Sequence, residues 1–175
     1  MRNISIIYFL LSYANHEIDD WYQLMSKKKS KKVSLIHNNI SINHLLINEH
    51  KYLISWDKSK IGDSINDLVS LYKKYYFNIE LNDLINIYQE HNKLDETELK
   101  LLIIYLSIPN KIEFTNDNLN DVKMINQEIT YLKKIYEYIK NSQVKTWLFF
   151  FKIVLFIWFV SWKKGEKWVK LKFLL

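Results

Sequence analysis

The sequence predicts an α+β protein, mostly helical, with one small hairpin. Three observations carry that prediction. Apolar residues recur at helical spacing over most of residues 4–25 and 64–141. Short extended apolar runs are confined to residues 33–55. A hydrophobic content of 49% with 15% aromatic residues suffices for a core in a 175-residue chain. The expected division is a body over residues 1–143 and a hydrophobic, basic tail over 144–175.

Residues 4–25 set Ile7, Leu10, Leu11, Ala14, Ile18, Trp21 and Leu24 at helical spacing and predict an amphipathic helix. Ile4 to Leu11 is too short and too mixed for a secretory signal and lacks a small-residue cleavage site. The basic run from Lys27 to Lys32 is expected as a loop, solvated in preference to contacting an anion. Val33–Ile36 reads as a short strand that enters a polar loop at 37–44. Segments 44–47 and 52–55 read as two strands around a turn at 48–50.

Asp63 or Ser64 is placed to cap a helix over 64–77, with Asp67 in its first turn, where exposed amides favour a carboxylate. Helices follow over 81–91 and 95–107, the latter stopped by Pro109. After a polar connection at 110–117, Val122, Ile125, Ile129, Leu132, Ile135, Tyr136 and Ile139 mark one face of a long helix over 118–141.

Composition changes after Gln143. Asn and Asp disappear, and Trp147–Trp162 is apolar except for Lys152. At ~1.5 Å per residue this stretch falls just short of the ~20 residues that usually span a bilayer. Trp at both ends and Lys163-Lys164 beyond fit a membrane interface; Lys152 opposes it unless it snorkels. Three readings fit 147–162: a short membrane anchor, a helix buried against the body or a partner, or AT-rich DNA read out of frame. The net charge of +6 resides here, because residues 146–175 carry +5 and the remainder only +1. A nucleic-acid groove on the body is therefore not expected. The chain has no cysteine, so neither disulfides nor thiolate chemistry enter.

One constellation carries chemistry. His37-Asn38-Asn39 and His44 are followed by Ile54-Ser55-Trp56-Asp57, then by Gly62-Asp63 and Asp67-Leu68. The spacing is that of a phosphate-transfer site, in which a carboxylate base and a metal-binding amide share one loop and a metal carboxylate follows a short hairpin. On these residues the region resembles the aminoglycoside/choline-kinase-like phosphotransferase family of the protein-kinase-like fold. The family so resembled includes thiamine-kinase-like and spore-coat kinase-like members of Firmicutes. The segment Leu106–Phe114 also looks like a short, diverged branch of that family.

The resemblance covers roughly residues 4–140 and implies a C-terminal lobe alone. Too few residues precede Val33 for an N-terminal lobe, and the two glycines, Gly62 and Gly165, cannot build a glycine-rich phosphate loop. It further implies structural roles for His37, Trp56, Gly62, Asp63 and Asp67, the last tying its helix to the loop that begins at His37. Asn39 stands at the base position, and His44 and Ser55 stand at the two magnesium positions. An amide is not a general base. A neutral hydroxyl and an imidazole are poor partners for a hard cation.

The expectation is accordingly a catalytically inactive relative or fragment of the family, cytoplasmic, acting by binding a protein or small-molecule ligand. ATP and magnesium enter only under an alternative, an active small-molecule kinase that uses Asp57 or takes its N-lobe from another chain. A further alternative is a small interaction protein anchored through 147–162. A gene fragment or a frameshifted end would also account for the missing lobe and the altered tail. His37, His44 and His50 are irregularly spaced and predict no metal site. His16 and His91 have no evident partners, and Glu17, Asp19 and Asp20 read as the solvated face of the first helix.

Overall fold

A computed structural model describes residues 2–115 and 117–163, with the side chains of Arg2, 144–151 and 153–163 outside the description. The architecture is α+β and mostly helical. Five helices are described: α1 (Arg2–Ser26), α2 (Ile65–Tyr75), α3 (Leu81–His91), α4 (Glu96–Ser107) and α5 (Asn118–Lys163). Four three-residue strands lie between α1 and α2: β1 (Ser34–Ile36), β2 (Leu45–Ile47), β3 (Lys51–Leu53) and β4 (Lys60–Gly62).

The strands form two antiparallel pairs where the sequence predicted one. β2 and β3 make the expected hairpin, with Leu46 opposite Tyr52. β1 pairs with β4 across more than twenty residues, Leu35 opposite Ile61. Lys60-Ile61-Gly62 carries no strand pattern of its own, and only its long-range partner makes it a strand. Gly62 is required by close approach: a Cβ there would stand 2.9 Å from Cδ1 of Ile36, itself only 1% exposed. Segments 44 and 54–55 lie outside the hairpin strands, because short 3-10 turns at Ile42–His44 and Trp56–Lys58 bracket it.

The chain divides into two compact units, residues 1–136 and 137–175. The division falls within α5, earlier than the expected step at 143. No Gly or Pro interrupts residues 118–163, so α5 runs well past the predicted end near 141. Among the described residues no helix is long and apolar enough to cross a membrane. Of the segment 147–162, only Lys152 has a described side chain, and it is exposed; the remaining side chains of the expected anchor lie outside the described residues.

The core of the first unit is helical. α1 and α2 both pack on α4, and Leu10, Ile36, Ile65, Leu102, Ile104 and Leu106 are all but inaccessible. Each such aliphatic side chain contributes roughly 1.5–3 kcal/mol by leaving water. Tyr131, 1% exposed, reaches from α5 to the end of α4 and donates its hydroxyl to the Leu106 carbonyl at 2.6 Å. Burial pushes its phenol far above the ordinary range, so it remains a donor. Lys73 of α2 donates to the Ile108 carbonyl at 2.9 Å, and burial lowers its pKa against the opposing pull of Glu128. Glu128 in turn accepts the backbone and side-chain amides of Asn110. The connection after α4 is thus held at its start to α2 and α5.

The basic run after α1 is not merely solvated. Lys28 bonds Asp95 at 2.6 Å and the Thr97 hydroxyl at 2.5 Å; Lys31 pairs with Asp63 at 2.9 Å, and Lys32 with Glu98 at 3.4 Å. Asp95 is the N-cap of α4 and accepts the Thr97 and Glu98 amides, while Glu98 accepts the Asp95 amide, a closed capping box. Burial alone would raise the Asp95 pKa. The Lys28 ammonium, the Thr97 hydroxyl and the Glu98 amide outweigh it and hold the carboxyl well below its usual value of 3.8.

A carboxyl held low in the folded state stabilises the fold above its unfolded pKa, and this contribution is lost as pH falls through the folded value. The Asp95→Asn variant is therefore expected to be less stable than the parent at neutral pH. It should also lose less stability between about pH 5 and about pH 2. Urea denaturation across that range checks both.

Candidate functional site

Residues 37–44 leave β1 as a loop whose course is set by side chains of α2. Asp67 accepts the His37 amide through Oδ2 at 2.7 Å and the Asn38 amide through Oδ1 at 2.9 Å. Lys74 donates to the Ile40 carbonyl at 2.7 Å. The Tyr75 hydroxyl accepts the Ile42 amide at 2.9 Å and shares a hydrogen bond with the Ser41 hydroxyl at 2.9 Å. These two partners draw the Tyr75 phenol below its ordinary pKa. Positions 67 and 74 are seven apart and share a helix face, with 75 adjoining it. One helix therefore fixes the loop at both ends.

His37 is the hub of the region, 1% exposed. Its Nε2–H donates to the Ile54 carbonyl at 2.8 Å, and its Nδ1 accepts the Asn39 amide at 3.3 Å. The opposite roles of the two nitrogens fix the Nε2–H tautomer. The His37 ring lies 5.0 Å from the Trp56 ring and stacks on the His44 ring at 5.4 Å. The Trp56 indole N–H donates to the Leu53 carbonyl at 2.7 Å, and the Ile54 amide donates to the His44 carbonyl at 2.9 Å. Asn39, His44 and Ser55 are thereby brought around one imidazole: Asn39 through its amide, His44 through its ring, and Ser55 between Ile54 and Trp56.

Two backbone positions in this region are left-handed. Asn38 has φ 59°, and Ser55 has φ 66° with ψ 49°. Asn is among the residues that best tolerate this conformation, because its short amide can bond locally. The constraint at Asn38 follows from the Asp67 bonds, which turn two successive amides toward one carboxylate.

The other predicted positions fall nearby. Gly62 ends β4 and Asp63 follows it in the connection to α2, paired with Lys31. Asp57 is exposed in the 3-10 turn after Ser55. His50 sits in the hairpin turn, its ring edge-on to Tyr52 at 6.2 Å. Sequence reasoning passed over Asn38, Ser41, Lys74 and Tyr75. Asn38 carried the one usable signal, an Asn where a tight loop needs positive φ; the other three depend on a tertiary approach that leaves no local pattern.

The loop 37–44 contains no carboxylate, and both oxygens of Asp67 are engaged by amides. Nδ1 of His44 is buried with no hydrogen-bond partner among the described residues, and an imidazole nitrogen is a soft donor for a hard cation. An amide at Asn39 accepts hydrogen bonds but no proton.

Among the described residues, the group of metal-type ligands within mutual reach is His16, Glu17 and Asp20 on α1. Lys100 of α4 already contacts Glu17, and it lies 3.6 Å from Asp20. Burial pulls the Lys100 pKa down, and the two carboxylates more than reverse that. The cluster is an α1–α4 ion pair: Glu17 is half-buried in it, whereas Asp19 and Asp20 stay exposed on the solvated face expected from the sequence.

Comparison of the chain with protein-family models, with curated proteins and with solved structures finds no match.

Removing the Asp67 carboxylate leaves two loop amides without their acceptor. Asp67→Ala should lower the unfolding free energy by about 3 kcal/mol, given roughly 1.5–3 kcal/mol per hydrogen bond to a charged group. Asn38 is exposed, so substitutions there probe the backbone alone. Asn38→Gly should be nearly neutral and Asn38→Val should cost about 1–2 kcal/mol. Chemical denaturation of the three variants reads both effects.

Proposed function

We propose that the chain is a C-terminal-lobe framework of the aminoglycoside/choline-kinase-like phosphotransferase type, without phosphotransfer activity, that acts by binding. The observation that carries this reading is the contrast between framework and chemistry around His37. The supporting geometry is the Asp67 carboxylate on the amides of His37 and Asn38, the buried His37, and a hairpin that returns Ser55 to the same place. At the three positions where phosphotransfer would need a base and metal ligands stand an amide, an imidazole and a hydroxyl: Asn39, His44 and Ser55. A general base must be able to take a proton, and a magnesium site needs hard anionic oxygen. Neither requirement is met within 37–44 or at Ser55. The side-chain hydrogen bonds that hold the loop 37–44 to α2 support the reading of a binding surface.

The test is a thermal-shift titration of the full chain with ATP, with and without magnesium, alongside an assay for ADP release. The expected result is a cooperative melt, no magnesium-dependent shift and no release above background. Turnover that disappears in Asn39→Ala or Ser55→Ala would overturn the proposal. A magnesium-dependent shift abolished by Asp57→Ala would replace it with an active kinase that uses Asp57.

A further inference from the structure

A groove of about 490 Å³ lies between β1, α2 and α3, within the ~300–1,000 Å³ range of specific binding clefts. All three residues of β1, Ser34, Leu35 and Ile36, line it. Successive strand side chains point to opposite faces; here Ile36 is buried and Leu35 is 59% exposed. A groove that touches all three therefore runs along an edge of the strand and not over one face. β4 occupies one edge, and no residue of β4 lines the groove. The groove therefore lies along the other edge. Outside the ladder with β4, no backbone hydrogen bond of residues 34–36 is found among the described residues. In an antiparallel pair the N–H and C=O of alternate residues point away from the partner strand, here toward the groove.

The remaining walls are mainly apolar, Leu68 and Leu71 of α2 and Leu84 and Ile87 of α3, with the polar Ser64, Tyr88, His91 and Asn92 at their margins. No Lys or Arg lines the groove, and its one carboxylate, Asp67, is spent on the amides of His37 and Asn38. An anionic ligand such as a nucleotide would meet no lysine or arginine here, and of the lining residues only His91 can carry a positive charge. A small apolar molecule would fill the walls and leave the strand's donors and acceptors unmet. Another backbone satisfies both.

We propose that this groove takes an extended, uncharged, apolar segment of a partner polypeptide, added as a strand to the free edge of β1, with alternate side chains on the α2 and α3 walls. The inference is independent of the phosphotransferase-like reading, because none of Asn39, His44 and Ser55 lines the groove.

The test uses the full chain and a pool of fluorescein-labelled heptapeptides with Val, Leu, Ile or Phe at alternate positions and Thr between them. Saturable binding by fluorescence anisotropy is expected, and it should be lost when the same pool is N-methylated at alternate amides. Ile87 is 60% exposed, so Ile87→Arg should fold, as circular dichroism can verify. It should weaken binding roughly tenfold or more by placing a charge against an apolar segment. Absence of saturable binding, equal binding of the N-methylated pool, or unchanged affinity in the folded Ile87→Arg variant would each overturn the proposal.

Discussion

The region between α1 and α2 depends on one carboxylate. Asp67 joins the start of α2 to a loop thirty residues earlier by taking two successive backbone amides. Once those amides converge, Asn38 must be left-handed, and the His37 ring is directed inward, where it meets Ile54, Trp56 and His44. Neither strand pair is long enough to be stable alone, since an isolated two-stranded ribbon is marginal in water. The β1–β4 pair is closed by the same geometry, because Gly62 lies against Ile36 immediately before α2 begins. A single ionised group therefore organises the loop, two strands and a buried ring.

A second set of charges does comparable work at the opening of α4. The turn after α1 carries a surplus of lysine, and α4 opens on Asp95, Glu96 and Glu98. Exposed pairs of this kind are individually worth little. Here Lys28 adds to a capping box that already orders the first turn of α4, and Lys31 ties the same turn to Asp63 beside α2. The cluster positions the entry to β1 relative to both helices. Three of the five lysines in the run, Lys28, Lys31 and Lys32, are thus paired within the fold.

Most of the helical architecture was legible because helices advertise a 3.6-residue period over many residues. α2, α3 and α4 begin and end within a few residues of the expected bounds. The hairpin was legible from its turn. β4 was not, because three residues with a terminal glycine have no periodicity and take their conformation from β1. The end of α5 was missed for a different reason: a change of composition at Gln143 was read as a change of structure, although nothing in the sequence breaks the helix there. At the candidate site, His37, Ser55 and Asp67 could be named through the family resemblance that the sequence carries. Lys74 and Tyr75 could not, because their partners are backbone groups of a loop whose position is itself a product of the fold. Lys28 and Lys31 were read as solvent-facing for the same reason, since acidic partners more than thirty residues away leave no local mark.

The hold of α2 on the loop 37–44 has a kinetic consequence. The amides of His37, Asn38 and Ile42 belong to a loop, and loop amides ordinarily exchange with solvent through small local openings. Here their acceptors are side chains of a helix that buries Ile65, Leu68 and Tyr72. The helix keeps both acceptors close to the loop, so these three amides should exchange with solvent more slowly than those of a loop without such partners.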